Sequence, residues 1–297
     1  MNISHSPFIS IFNQKGYRTK QITDPLSNYR NVGLYLANFS EPAFESNDHW
    51  NLIPEIVKEI NKPDKSFVFS FYYGTHYPYT HGLQYNKFKP EVDNTFNYSQ
   101  ANLIPYREEI KNKYRNCLSE ADKWLENLFS QIDLDNTMIV ISGDHGEEFF
   151  ENGRLSHAAT LEEPQIRTPL ILHLPNKISR KINRVTSHLD IMSTIIDLMG
   201  WKIPSDTIGH SLLSVNDEKD VFAIVTRNKG KRLPTQWAVV SENLKIIYKY
   251  TTSNELSIID VLDSTDNTFI WGEDLEIFHP NIKHALLLES RIKQNRK

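Results

Sequence analysis

The chain is poor in the residues that staple or anchor a protein. Its 297 residues include a single cysteine, Cys117, which excludes an intramolecular disulfide and a cysteine-cluster metal site. No run approaches the ~20 apolar residues of a membrane helix, and mean hydropathy is −0.48. Positive charge is not in excess. Lys and Arg number 33 against 37 Asp and Glu, a net charge of −4, which argues against a nucleic-acid partner held by bulk charge. The opening MNISHSPFISIFNQKGYRTK lacks the basic start and apolar core of an export signal, so the chain as written is expected in the cytoplasm. Neither an internal repeat nor a low-complexity linker is visible. With 39% hydrophobic and 24% charged residues, neither a disordered chain nor a fibre is expected.

What is present reads as mixed α/β. Lys65–Tyr73, Asn136–Ser142 and Thr168–Pro175 are dense apolar runs bounded by turn residues. Consecutive apolar positions predict strands covered on both faces, as in a parallel sheet layered with helices. Between them, Ile110, Tyr114, Cys117, Leu118, Ala121, Trp124, Leu125, Leu128 and Ile132 recur at helical spacing and predict one long amphipathic helix over 106–132. Cys117 falls on this stripe and is expected to pack rather than react. A shorter helix is expected over 50–60. Another is expected over 188–199, with Ser187 as N-cap, Asp190 three residues on and Gly200 as its stop. Past about Asp217 the texture changes to short alternating strands over 221–225, 237–240, 245–250 and 255–261, and a helix over 281–294. The expected organisation is an α/β domain over 1–216 and a small antiparallel α+β subdomain over 217–297.

The richest stretch is Ile139-Val140-Ile141-Ser142-Gly143-Asp144-His145-Gly146-Glu147-Glu148. A strand delivers Asp144 and His145 to its carboxyl end, where α/β sheets bind ligands. A carboxylate oxygen beside an imidazole nitrogen is half of a divalent-metal site, and nitrogen ligation favours zinc or manganese over calcium. The bland alternative is a turn in which Asp144 only caps. Glu147 reads mainly as a solvated acid, with support of the ligands as its alternative. His76 follows the strand ending at Tyr73, and His157 follows Glu151-Asn152-Gly153. Three histidines are thus expected at one sheet edge beside an aspartate, able to move protons or hold an oxyanion.

The run GDHGEEFFENGRLSHAATLEEPQIRTPLIL resembles the metal-binding segment of the sulfatase branch of the alkaline phosphatase superfamily, which includes sulfatases and phosphoethanolamine and phosphoglycerol transferases. GYRT (Gly16 to Thr19), THYPY (Thr75 to Tyr79), the helix from Ser187 through Thr194 and the turn Gly209-His210-Ser211-Leu212-Leu213 agree in order, over roughly Gly16 to Leu213. Serine stands where the family's "D-x-x-P-T" helix usually has proline. The resemblance implies an alkaline-phosphatase-like, mostly parallel sheet sandwiched by helices. It implies a metal-dependent hydrolase acting on sulfate or phosphate esters, the substrate being a glycan or a lipid head group. Asp144 and His145 would be the metal ligands, and His76 and His157 the contacts to the transferred group. Arg167, in the "I-R-x-P" segment, would be mainly structural, and Asp190 would cap its helix.

The family's nucleophile lies before the GYRT-like step, in C/S-x-P-x-R for sulfatases or as a threonine at a helix start for transferases. Only fifteen residues precede Gly16, and no C-x-P-x-R occurs. Ser4 and Ser6 lack room for a preceding strand, so the nucleophile is unassigned. The expectation is a sulfatase-type domain without its N-terminal segment, working with a missing piece or partner chain. The rival readings are a phosphoethanolamine or phosphoglycerol transferase fragment and a non-catalytic anion-binding remnant.

Overall fold

The computed structural model describes residues 6–25, 38–100, 102–175, 177, 179–205, 207, 209–214, 221–225, 236–242, 244–250, 256–263 and 265–267. The chain divides into two compact units, one of Asn2–Val140 with Leu172–Asn176, the other of Ile141–Ile171 with Lys177–Lys297.

The first unit opens with helix α1 (Pro7–Gln14), which has Ser6 as N-cap and proline at its start. A proline there costs nothing, because the first N–H groups of a helix have no partner. Ser4 lies outside the described residues. Gly16 turns the chain with φ +77°, a conformation that favours glycine. Strand β1 (Arg18–Thr23) follows, so the GYRT segment is the expected helix-to-strand step. Strand β1 is the centre of a parallel sheet, flanked by β2 (Phe44–Glu45) and β3 (Ser66–Phe71). Its register with β3 runs from Arg18 opposite Ser66 to Thr23 opposite Phe71.

Helix α2 (Leu52–Ile60) and helix α3 (Arg107–Phe129) supply the unit's core. Ile22 packs there with Leu52, Ile53, Ile56, Trp124 and Leu128. Along α3 the structure departs from the predicted stripe. Ile110, Cys117, Trp124 and Leu128 are buried, but so are Asn112, Lys113, Asn116 and Glu120, while Leu118 is 43% exposed. The buried polar residues hold an irregular segment. Asn116 Oδ1 accepts from the backbone of Lys87 (2.9 Å) and Phe88 (2.8 Å). Lys113 donates to Asp93 O (2.9 Å), Asn112 donates to Pro90 O (2.9 Å), and Glu120 accepts from Gly82 N (2.9 Å). Backbone groups without a helix or sheet partner must be satisfied by side chains when buried, and the α3 face is built for that. Cys117 is fully buried and burial pushes its thiol up to about 12, which fits packing and not nucleophilic chemistry.

Strands β4 (Ile139–Ser142) and β7 (Leu170–His173) pair with each other as a two-stranded ladder. Burial on both faces, expected from their apolar runs, is not what the structure has. All residues of β3, β4 and β7 are at least partly accessible, and Ile171 is 56% exposed. So short a ladder leaves part of each strand uncovered.

In the second unit β5 (Glu148–Phe149) and β6 (Leu155–Ser156) form an antiparallel pair, followed by the short helix α4 (Glu163–Ile166). Helix α5 (His188–Leu198) starts with a full capping box between Ser187 and Asp190. Asp190 Oδ1 also accepts from His210 N (2.9 Å), tying the Gly209–Leu213 turn to the helix. The turn presses so close that a Cβ on Gly209 would lie 1.8 Å from Leu189 O, so only glycine fits.

The alternating C-terminal stretches form one antiparallel sheet, in the order β11 (Leu256–Asp263), β10 (Leu244–Tyr250), β9 (Gln236–Val240), β8 (Val221–Val225). Ala238, Ile247 and Leu262 pack on Leu161 and Ile166; Val239, Ile246, Tyr248 and Val261 form a second cluster. Lys245 is 1% exposed and pairs with Glu163 (2.8 Å) and Asp266 (2.5 Å). The helix expected over 281–294 lies outside the described residues.

Ile22→Ala should cost about 2–5 kcal/mol, since it empties the centre of the first unit's core, whereas Leu118→Ala should fall within ~0.5 kcal/mol of wild type. Urea denaturation followed by tryptophan fluorescence checks both.

Candidate metal and anion site

Strand β4 ends at Ser142 and the chain turns through Gly143 to Gly146. Gly146 is constrained from outside. Its N–H donates to Gln165 O (3.0 Å), and a Cβ there would sit 2.2 Å from Pro164 O. The carbonyl of Gly143 accepts from Nε2 of His188 (2.7 Å), the first residue of α5. The turn is therefore fixed by α4 on one side and α5 on the other.

Asp144 and His145 leave this turn together. Asp144 Oδ1 accepts from His145 N (3.0 Å), and its carboxylate is 62% exposed. His145 Nδ1 lies 2.8 Å from the carbonyl of Gly146. A carbonyl only accepts, so Nδ1 carries the proton and the neutral ring bears its lone pair on Nε2. That Nε2 is 3.6 Å from Asp144 Oδ2. Two ligands each at ~2.0–2.2 Å from one tetrahedral zinc-type ion are separated by roughly 3.3–3.6 Å. The donor chemistry and the spacing therefore fit a shared divalent ion.

His157, directly after β6, comes back to the same place. Its ring lies 3.7 Å from that of His145, tilted by 31°. Its Nδ1 donates to Glu147 Oε2 (2.8 Å), and the Glu147 side chain is only 11% exposed. Glu147 is thus not the solvated acid that the sequence suggested but the partner of a site histidine. Ligand atoms of His145, Glu147 and His157 all lie within 4.8 Å of one another, a second set able to take a metal. The Glu147 hydrogen bond, against partial burial, raises the His157 pKa above its ordinary value, with help from the charge of Asp144. Both neighbours of His157 have left-handed backbone, Ser156 at φ 81° and Ala158 at φ 60°. Such non-glycine conformations are held by their surroundings and cluster at functional sites.

Of the sequence-predicted residues, Asp144, His145 and His157 come together in the second unit. His76 belongs to the first unit. There its Nδ1 donates to Tyr77 O (2.6 Å), which places the neutral ring's lone pair on Nε2, and its ring stacks on Tyr73 at 4.3 Å. Also in that unit Asp24, at the end of β1, accepts from Tyr73 N (2.6 Å), and burial raises its pKa. The Arg167 side chain is exposed. Sequence reasoning passed over Glu148 and Gln165, both buried under the loop. The one available signal was the run of two acids, Glu147 and Glu148, entering β5, where alternate residues face opposite ways.

A histidine whose folded pKa lies above its unfolded value contributes stability that is complete below ~6.5 and lost as pH rises through the folded value. In metal-free protein, the His157 ring should titrate above ~6.5 and Glu147→Gln should move it down. Proton NMR of the imidazole C–H signals checks this; an unchanged His157 titration in Glu147→Gln would refute the pairing.

Comparison with known proteins follows the same lines. The Sulfatase family model matches residues 3–201, and that for the C-terminal region of N-sulphoglucosamine sulphohydrolase matches residues 153–268. Arylsulfatase K of Canis lupus familiaris is 31% identical over 145 residues, covering 46% of this chain and 26% of that protein. The chain spans about a quarter of the length of the first curated relatives it matches. The phosphonate monoester hydrolase of Agrobacterium radiobacter shares the fold with a TM-score of 0.70 at 14% identity, over 94% of this chain and 79% of that one. A protein solved with its substrate D-glucosamine-2-N,6-O-disulfate does so with a TM-score of 0.66 at 15% identity, over 100% of this chain and 83% of that one. The fold is therefore that of the alkaline-phosphatase-like sulfatases, and the match over residues 3–201 makes this chain a member of the sulfatase family.

Proposed function

We propose that the chain carries the metal-binding and anion-holding residues of a sulfate-ester hydrolase whose substrate is a sulfated glycan. The observation that carries this reading is the Asp144–His145 pair, with Nε2 of His145 presented 3.6 Å from Asp144 Oδ2. The substrate class draws support from the fold relative solved with glucosamine disulfate.

Asp144 and His145 would hold a divalent ion, and the nitrogen donor favours zinc or manganese over calcium. Such an ion supplies Lewis-acid polarisation of the ester oxygens. Asp144 contributes the anionic oxygen. His145 contributes the neutral nitrogen, kept in the right tautomer by Gly146 O. Glu147 keeps the proton on Nδ1 of His157 and favours the charged imidazolium. In that form the ring can hold a developing negative charge, or give a proton to the departing alcohol oxygen. On the other unit we assign His76 an anion-contacting role of its own. The attacking nucleophile is left unassigned.

The test is a calorimetric and thermal-melt titration with zinc, manganese and calcium, followed by release of sulfate from an aryl sulfate and a sugar 6-sulfate. An ion at 100-fold excess over its dissociation constant should add about 2.7 kcal/mol of stability. Asp144→Ala and His145→Ala should each abolish that shift. A shift that survives Asp144→Ala, or a larger effect of calcium than of zinc and manganese, would sink the ligand assignment.

A further inference from the structure

Glu148 and Gln165 are both buried, and the chemistry assigned to the site uses neither. Glu148 Oε1 accepts from the backbone of Asn152 (3.1 Å) and Arg154 (2.8 Å). Its Oε2 accepts from Gln165 Nε2 (2.6 Å). Gln165 Oε1 accepts in turn from the backbone of Ala159 (2.9 Å) and Thr160 (3.1 Å), and Gln165 O accepts from Gly146 N. Two joined side chains thus hold the chain at 152 and 154 and at 159 and 160, while the main-chain carbonyl of Gln165 holds it at 146.

These attachment points bracket His157 on both sides. Between them the backbone at Ser156 and Ala158 is left-handed, so local preference does not set the ring's direction. Sheet pairing there is confined to Glu148–Phe149 with Leu155–Ser156. The Glu148–Gln165 pair gives this loop's backbone four side-chain hydrogen bonds, and Glu147, the partner of His157, is the residue next to Glu148.

We propose that Glu148 and Gln165 are positioning residues for His157, acting through the loop backbone to hold its imidazole against Glu147. The role of His157 itself rests on the function proposed above, but the positioning is testable in metal-free protein without turnover. The donor pattern makes a specific demand. Glu148→Gln alone turns an NH2 group toward the Gln165 NH2. Gln165→Glu alone sets two carboxylates against each other. The double substitution restores every bond: the new amide at 148 accepts from Asn152 and Arg154 and donates to the new carboxylate at 165, which still accepts from Ala159 and Thr160.

The readout is solvent exchange of the His157 Nδ1–H, in protein labelled with 15N-histidine, beside the amide exchange of Ala159 and Thr160. Each single substitution should speed His157 exchange by about tenfold or more, the change expected when contacts worth ~1.4 kcal/mol are lost. The double substitution should return it to within about threefold of wild type, since directly bonded residues couple strongly. Should the single substitutions fail to fold, Gln165→Met removes the three Gln165 side-chain bonds at similar volume and takes their place. The proposal is overturned if the double substitution behaves as the sum of the singles. It is equally overturned if the amides at 159 and 160 loosen while the His157 Nδ1–H keeps its wild-type exchange. Neither result depends on metal binding or sulfate release, so a failure of the proposed function would be seen separately.

Discussion

The constraint on which this structure turns is the need to satisfy backbone groups in segments that are neither helix nor strand. A buried N–H or C=O without a partner costs on the order of 1–3 kcal/mol. Both units carry long irregular stretches, near His76 in one and His157 in the other, and both solve the problem with buried polar side chains. In the first unit Asn112, Lys113, Asn116 and Glu120 project from one long helix and take up the backbone around residues 82–93. In the second, Glu148 and Gln165 do the same for residues 152–160. In each case a regular element serves as the rail and the loop hangs from it by amide and carboxylate bonds.

The second loop is also braced from behind. Leu161 and Ile166 pack on the antiparallel sheet through Ala238, Ile247 and Leu262. The buried ammonium of Lys245 on β10 meets Glu163 and Asp266, and Asp266 also accepts from Glu163 N. A buried cation with two carboxylates is costly to break, because removing one partner strands the others away from water. The C-terminal sheet therefore fixes α4, and α4 carries Gln165. The left-handed backbone around His157 persists because this surrounding frame over-determines it.

Much of this was legible in the sequence, and the exceptions share a cause. Apolar runs located β3, β4 and β7; Ser187 with Asp190 located the start of α5; and the strand-to-glycine transition located Asp144 and His145. Each of those signals is local. The polar stripe of α3 was missed because hydrophobic periodicity counts Asn116 and Glu120 as surface, although their partners are distant loop backbone. Glu147 and Glu148 are the sharpest case. They are adjacent, chemically identical and equally acidic in any composition count, yet one pairs with His157 and the other is fully buried against Gln165. Only the pairing of Glu148 with Ser156 across the β5–β6 ladder separates their roles. Two-sided burial of β4 and β7 failed for the converse reason: apolar content says what a strand could bury, not how many neighbours its ladder supplies.

The order in which the chain visits its two units has a consequence for biosynthesis. The first unit is complete only when Leu172–Asn176 returns to it, where His173 Nε2 donates to Leu134 O (2.9 Å). A chain leaving the ribosome must therefore expose residues 141–171, with Asp144, His145 and His157, before that unit can close. The sheet that braces α4 emerges later still. During that interval the loop is a closed excursion, anchored at both ends and without its brace. Its brace is acquired last, as the strands over 236–263 arrive, so the loop around His157 gains its full support well after its own residues are made.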